Sequence, residues 1–278
     1  MRLSPEEFLE SPNKVITLLG MSGVGKTTFA SQLPQNKWFH YSADFRIGTK
    51  YLNEPILDEI KRHAMREPFL RDLILSDSIY IRSNITVNHL KPISTFLGKI
   101  GNRDLGGLSV DEFKRRQRLH RAAEVAAMAD VTGFIHKSRG IYGYPHFIVD
   151  TGGSVCVLSD DEVWNELAQQ SLILYLKPDA ELEKLMLARA ISSPKPLYYG
   201  EAFLDRNIAQ FLEERGLQST DQMVPDEFAQ WVFPHLVEHR RPLYERIADT
   251  HGYTIDARRV VSLGSEQDVL DLVAEILK

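Results

Sequence analysis

At 278 residues, 43% of them hydrophobic and 26% charged, the chain has the composition of an ordinary soluble globular protein, long enough for one large α/β domain with insertions or for two domains. The single cysteine, Cys156, excludes an intramolecular disulfide and a cysteine-based zinc cluster, and points to a reducing cytosol. The net charge of −5 is unevenly spread: thirteen Lys and Arg against six Asp and Glu between Lys61 and Arg121 make that stretch +7 and leave −12 on the remainder. A basic segment on an acidic body points to an anionic partner, although a solvated helical face is the commoner meaning of such a run. There is no long apolar run, and the N-terminus turns acidic just after Arg2. The expectation is therefore a cytoplasmic protein with neither a signal peptide nor a membrane partner.

Ser4-Pro5-Glu6-Glu7 has the form of a helix start: a capping residue, a proline in the first turn and acids facing the dipole. Val15 to Leu19 reads as a buried strand. It runs into a glycine-rich loop and then a short helix that Pro34 stops. Trp38 to Ala43 is predicted as a second strand ending at Asp44. From Gly48 to about Val110 the spacing is mostly helical and punctuated by Pro68, Pro92 and Gly106-Gly107. Asp111 to Ala129 is predicted as one longer helix. Phe147 to Val149, Leu172 to Leu176 and Tyr253 to Asp256 follow as strands, and a last helix from Glu266 has Ser265 as its cap. Strands alternating with helices imply a doubly wound α/β fold, with a five-stranded parallel sheet between two layers of helices.

The loop carries the chemistry. Gly20-Met21-Ser22-Gly23-Val24-Gly25-Lys26-Thr27 satisfies G-x-x-x-x-G-K-[ST], with Thr28 following, in the strand-then-helix setting that a phosphate-binding loop requires. Its glycines let successive N–H groups turn inward around phosphate oxygens. Lys26 would reach the β- and γ-phosphates of ATP, and the Thr27 hydroxyl would be a Mg²⁺ ligand. Asp150, at the end of the third apolar strand, is the second expected Mg²⁺ ligand, since this ion needs few protein oxygens when phosphates and water complete its shell. Gly20, Asp44 and Asp150 each follow a predicted strand, so all three fall on the rim where open parallel sheets bind ligands.

Asp150-Thr151-Gly152-Gly153 resembles the strand-three signature of the shikimate kinases, and further motifs follow in that family's order. Asp44-Phe45-Arg46-Ile47 is similar to its D-x-x-I, Arg121-Ala122-Ala123-Glu124 to its R-x-x-E, and Lys195-Pro196-Leu197-Tyr198 to its R-P-L-L lid segment. Arg240 to Asp249 resembles its R-x-P-L-Y-E-E-I-A-D stretch. The resemblance covers about residues 15–48, 119–200 and 236–278. It implies a P-loop kinase using ATP and Mg²⁺, with Asp44 orienting or deprotonating the acceptor hydroxyl and Lys195 closing over the transferring group. Arg121, Arg240, Gly152 and Gly153 would then contact the acceptor, a small molecule bearing a carboxylate or phosphate.

The departures are specific. Residues 49–118 stand where the family has a short connection, and a helical stretch with its loop extends the lid to about residue 235. Asp150 supplies a strand-end carboxylate that these kinases usually lack, while Ser42 and Ser154 replace an acid and a glycine. The expected domain plan is a single P-loop domain with core 15–48, 119–185 and 236–278, a basic helical insertion at 49–118 and a lid region at 186–235. The acceptor is then expected to differ from shikimate. Two other readings compete: an ATP-hydrolysing regulator that grips a partner through the insertion, and a nucleic-acid end kinase using Lys114, Arg115, Arg116 and Arg118. Few aromatics interleave with that basic run, which counts against nucleic acid. Oligomeric state is open.

Overall fold

The structure is a computed structural model that describes residues 3–158 and 161–278. In chain order the elements begin with α1 (Pro5–Glu10), β1 (Val15–Leu19), α2 (Lys26–Ser31), β2 (Trp38–Ser42) and α3 (Ala43–Arg46). After a π-helical turn at Ile47–Tyr51 come α4 (Asn53–Ala64), α5 (Pro68–Leu75), α6 (Lys91–Leu97), α7 (Val110–Gly140) and β3 (His146–Asp150). The chain closes with α8 (Asp161–Gln170), β4 (Leu172–Lys177), α9 (Ala180–Ser192), α10 (Glu201–Arg215), α11 (Pro225–His251), β5 (Gly252–Asp256), α12 (Arg258–Val261) and α13 (Glu266–Ile276).

Two compact units share this chain. The first comprises Met1–Ala43, Ala127–Pro194 and Gln230–Lys278; the second comprises Asp44–Ala126 and Lys195–Ala229. The first unit holds one sheet in the order β2-β3-β1-β4-β5 with every pairing parallel, flanked by helices, as the alternating pattern predicts. All five residues of β1 are buried, which is why Val15-Ile16-Thr17-Leu18-Leu19 is apolar nearly throughout rather than alternating. Its one polar member is satisfied inside the core: Thr17 Oγ1 lies 2.6 Å from Ser171 Oγ. At the N-terminus Ser4 and Glu7 form a reciprocal capping box, and α1 packs on α13, whose Val269, Leu272 and Val273 are buried as their spacing requires.

The second unit is helical among its described elements. Ile56, Phe96, Phe113, Leu204 and Phe211 form part of its core. The Asn102 amide donates to the Met223 carbonyl at 2.9 Å, joining the two chain segments from which the unit is made.

Two helices run further than their sequence suggests. The one expected to end at Ala129 continues to Gly140, because Ala127, Val131 and Ile135 repeat at four-residue spacing and are all buried, which outweighs the cost of Gly133. α11 spans 27 residues and contains Pro234 and Pro242, either of which alone reads as a helix stop. At the end of β2, Ala43 opens a helix instead of closing the strand.

Candidate functional site

The carboxyl ends of β1 and β3 lie side by side, with Leu18 in register with Asp150, and the connections from the two strands diverge, β1 leading to β2 beyond β3 and β3 leading to β4 beyond β1. That is the topological switch point at which open α/β sheets bind ligands. The Thr151 hydroxyl donates to the Leu18 carbonyl at 2.7 Å and ties the two strand ends together. Between β1 and α2 the loop turns sharply at Gly20, where φ is +144° and a Cβ would stand 2.8 Å from Val24 Cγ2 and 3.0 Å from the Leu176 carbonyl oxygen. No other residue type fits that conformation and that space.

Lys26 is buried and donates to the carbonyls of Gly20 at 2.7 Å and Met21 at 3.2 Å, so the loop is curled around its own ammonium group. Beside it, Thr27 Oγ1 donates to Asp150 Oδ2 at 2.7 Å. Burial alone would push the Asp150 carboxyl up. The neighbouring His40 imidazole, the Lys26 ammonium and the Thr27 hydroxyl outweigh it and hold this group below the ordinary aspartate value. His40 Nε2 is 3.9 Å from Asp150 Oδ2, beyond hydrogen-bond reach, and acts on the carboxylate across space. Nothing local in the sequence singles out His40, a lone imidazole within a strand. The one available signal was its place two residues before the end of β2, in the row of residues aligned with β3.

A second layer supports the loop from below. Gly153 lies so close to it that a Cβ there would be 2.8 Å from the Ser22 backbone nitrogen. Its carbonyl accepts from Arg240 Nη1 at 2.7 Å and from the Tyr244 hydroxyl at 2.8 Å, and the Tyr244 ring stacks on Tyr175 with centroids 5.2 Å apart. Arg240 is only 3% exposed. Here it anchors the Gly152-Gly153 turn, a part that its expected role as an anion-pairing arginine did not include.

These residues fit a Mg²⁺ ion. A hydroxyl and an ionised carboxylate in mutual contact give two hard oxygens, the number such an ion takes from protein when phosphates and water supply the rest. Among the described residues no group of three or more His, Cys, Asp or Glu side chains could hold a metal ion. α2 is six residues long, so the loop amides rather than an extended helix dipole are the means of holding phosphate.

Asp44, Arg121 and Lys195 belong to the second unit. Asp44 sits in the first turn of α3 and is partly buried. Arg121 is exposed on α7, whereas Glu124 is fully buried with its carboxylate 4.0 Å from His120 Nδ1. The two therefore face different surroundings. Lys195 is exposed at the start of a non-helical segment whose far end is pinned. Gln117 donates to the Leu197 carbonyl at 3.2 Å and accepts from the Tyr199 amide at 2.8 Å, while Tyr198 stacks on His120.

The basic run on α7 is tied to acids. Lys114 lies 2.6 Å from Asp205, Arg115 2.7 Å from Glu112, and Arg118 3.8 Å from Glu201. Arg116 is buried between Glu59 and Glu112. Such pairing leaves little of the unopposed charge that phosphate contacts along a nucleic acid require.

No protein-family model matches the chain, and no curated protein sequence does. Among solved structures it is similar to a shikimate kinase from Acinetobacter baumannii in complex with shikimate, at 16% identity over 98% of this chain and 97% of that one, with a TM-score of 0.43. At that level the similarity assigns no residue a role. Among the described residues no helix is long and apolar enough to cross a membrane.

Proposed function

We propose that the protein is an ATP- and Mg²⁺-dependent phosphotransferase acting on a hydroxyl of a small anionic acceptor other than shikimate. The observation that carries this reading is the contact of the Thr27 hydroxyl with the ionised Asp150 carboxylate, beside a buried Lys26 and under a loop shaped for phosphate. Phosphoryl transfer asks a protein for alignment and charge neutralisation rather than covalent chemistry. Lys26 would exchange its carbonyl partners for the β- and γ-phosphate oxygens, and the loop amides from Met21 to Thr28 would hold the remainder. Bound Mg²⁺, held by Thr27 and Asp150, would supply neutralisation of phosphate charge.

The acceptor oxygen would attack the γ-phosphorus as the bond to the β–γ bridging oxygen breaks. Asp44 would take the hydroxyl proton, and ADP would leave. Arg121 would pair with an acceptor anion through its guanidinium fork, and Lys195 would close over the transferring group. Arg240 and Gly152-Gly153 would keep the loop in position from beneath. The long interval at 49–118 supports an acceptor unlike the one a short connection encloses.

The test is a screen of hydroxyl-bearing carboxylates and phosphate esters for acceptor-dependent ADP release with Mg²⁺-ATP. Phosphorylated product is identified by mass spectrometry, and Lys26→Ala serves as the control. One acceptor that releases ADP stoichiometrically with its own phosphorylation is the expected result. ADP release that no acceptor alters, with phosphate as the product, would replace a kinase by a nucleotide hydrolase; absence of ATP binding would remove both.

A further inference from the structure

The second unit contains a cleft of about 970 Å³ to which the phosphate loop contributes nothing. Its floor is apolar, formed by Ile56, Phe96 and Leu108, with Ile60 exposed at its edge. A buried guanidinium fixes its walls. Arg116 bonds Glu112 at 2.6 Å, Glu59 at 2.9 Å and the Phe96 carbonyl at 2.7 Å, and lies 5.0 Å from the Phe96 ring centroid, so that it joins α4, α6 and α7. Two carboxylates answer this cation, which is therefore structural and offers no charge to a ligand.

The rim is different. Arg66, Lys91 and Arg103 are exposed on three separate segments, and among the described residues none of them has an ion-pair partner. The lining as a whole carries five Arg and Lys against two Glu. A basin of this volume is the size that takes a drug-sized molecule. A neutral ligand would leave the cationic rim unanswered, and an inorganic anion would leave the apolar floor wet.

We propose that this cleft binds a small amphiphilic anion, a carboxylate or phosphate ester on an aliphatic or aromatic body. The body lies over Ile56, Ile60 and Phe96, and the anionic group is held by Arg66, Lys91 and Arg103. This site stands independently of the phosphotransferase reading. Rim cations provide the charge selectivity, and because they are solvent-exposed their contribution falls with added salt.

The experiment uses the full chain, with 8-anilinonaphthalene-1-sulfonate as a fluorescent probe and decanoate or decanol as competitors. One saturable site is expected, from which decanoate displaces the dye about tenfold better than decanol does, as a charge-assisted contact implies. The double variant Arg66→Ala/Arg103→Ala should lose that preference and leave decanol unchanged. Ile60→Asp should weaken both competitors, and melting curves of both variants should match the parent. Equal displacement by acid and alcohol, or a preference that survives the rim substitutions, overturns the proposal. So does displacement by a glutamate-rich peptide at lower concentration than decanoate, which would make the cleft a protein-docking surface.

Discussion

The phosphate loop of the first unit and the cleft of the second both contain a buried cation, and they hold it in opposite ways. Lys26 donates to two backbone carbonyls, which carry no net charge, and meets the Asp150 carboxylate through its field, so an arriving phosphate would replace those two dipoles with an ionic contact. Arg116 sits between two carboxylates, and drawing it toward a ligand would take from both acids the one buried cation they share. A buried cation is therefore easier to draw to a ligand where the hydrogen bonds to be exchanged go to neutral carbonyls than where they go to carboxylates. The loop advertises its cation; the cleft uses its buried one as a fastening and leaves binding to unpaired charges on the rim.

The largest test of this contrast is Lys26→Ala. Its hydrogen-bonded partners are neutral loop carbonyls, so the fold should survive with a melting temperature close to the parent, while the proposed phosphoryl transfer falls by about 10³-fold, the loss typical of removing one preorganised donor. Rates and melting curves measured on the same preparation check it. Collapse of the fold would show that Lys26 is a fastening too, and the contrast would fail.

Arg116→Met reverses the pattern. It should cost about 3 kcal/mol in urea unfolding, because Glu59 and Glu112 are left without their shared partner, and it should leave ATP binding alone. Adding Glu59→Gln and Glu112→Gln to that variant should recover a large part of the loss, since the penalty comes from stranded charge rather than lost attraction. No recovery in the triple variant would mean that packing against Phe96, not charge, is what Arg116 supplies.

These two residues also show what the chain reveals of itself. Strands β1, β3, β4 and β5, the loop and Asp150 are local signals, an apolar run or a fixed spacing, and each lies within a residue or two of its expected bounds. Arg116 was not legible. It stands between Arg115 and Gln117 in a run that reads as one solvated face, and its partners Glu59 and the Phe96 carbonyl lie far back along the chain. Glu124 is hidden for the same reason: nothing local shows that it is enclosed beside His120 while Arg121, three residues earlier, stays in solvent. The supporting roles of His40 and Arg240 depend on strand register and on the carbonyl of Gly153, neither of which a sequence displays.

A smaller effect is expected beneath the loop. Gly153→Ala places a methyl group 2.8 Å from the Ser22 backbone nitrogen, which cannot rotate away, so the loop or the turn beneath it must shift. Overpacking of this kind costs about 1–2 kcal/mol, and it should appear mainly as weaker nucleotide affinity in calorimetry rather than as lost stability. Unchanged affinity would mean that the loop yields freely and that its resting shape contributes little to binding.

The smallest effect separates the two regions by pH. Hydrogen bonds from Arg115 and Arg116 outweigh burial and hold the Glu112 carboxyl at about 2, against a usual value of 4.5. A carboxyl depressed in the fold binds fewer protons there than in the unfolded chain. Its stabilising contribution is therefore complete above pH 4.5 and is lost as pH falls toward about 2. Comparing urea midpoints of the parent and Glu112→Gln through this window isolates that share from the other acids, because only the parent can lose it. The parent's midpoint should fall the more steeply, by a modest margin that shrinks with added salt, since Arg115 is exposed and its pairing with Glu112 is screened. If the two curves run parallel, Glu112 does not sense its arginines, and the fastening under the cleft depends on the buried contact of Arg116 with Glu59 and the Phe96 carbonyl.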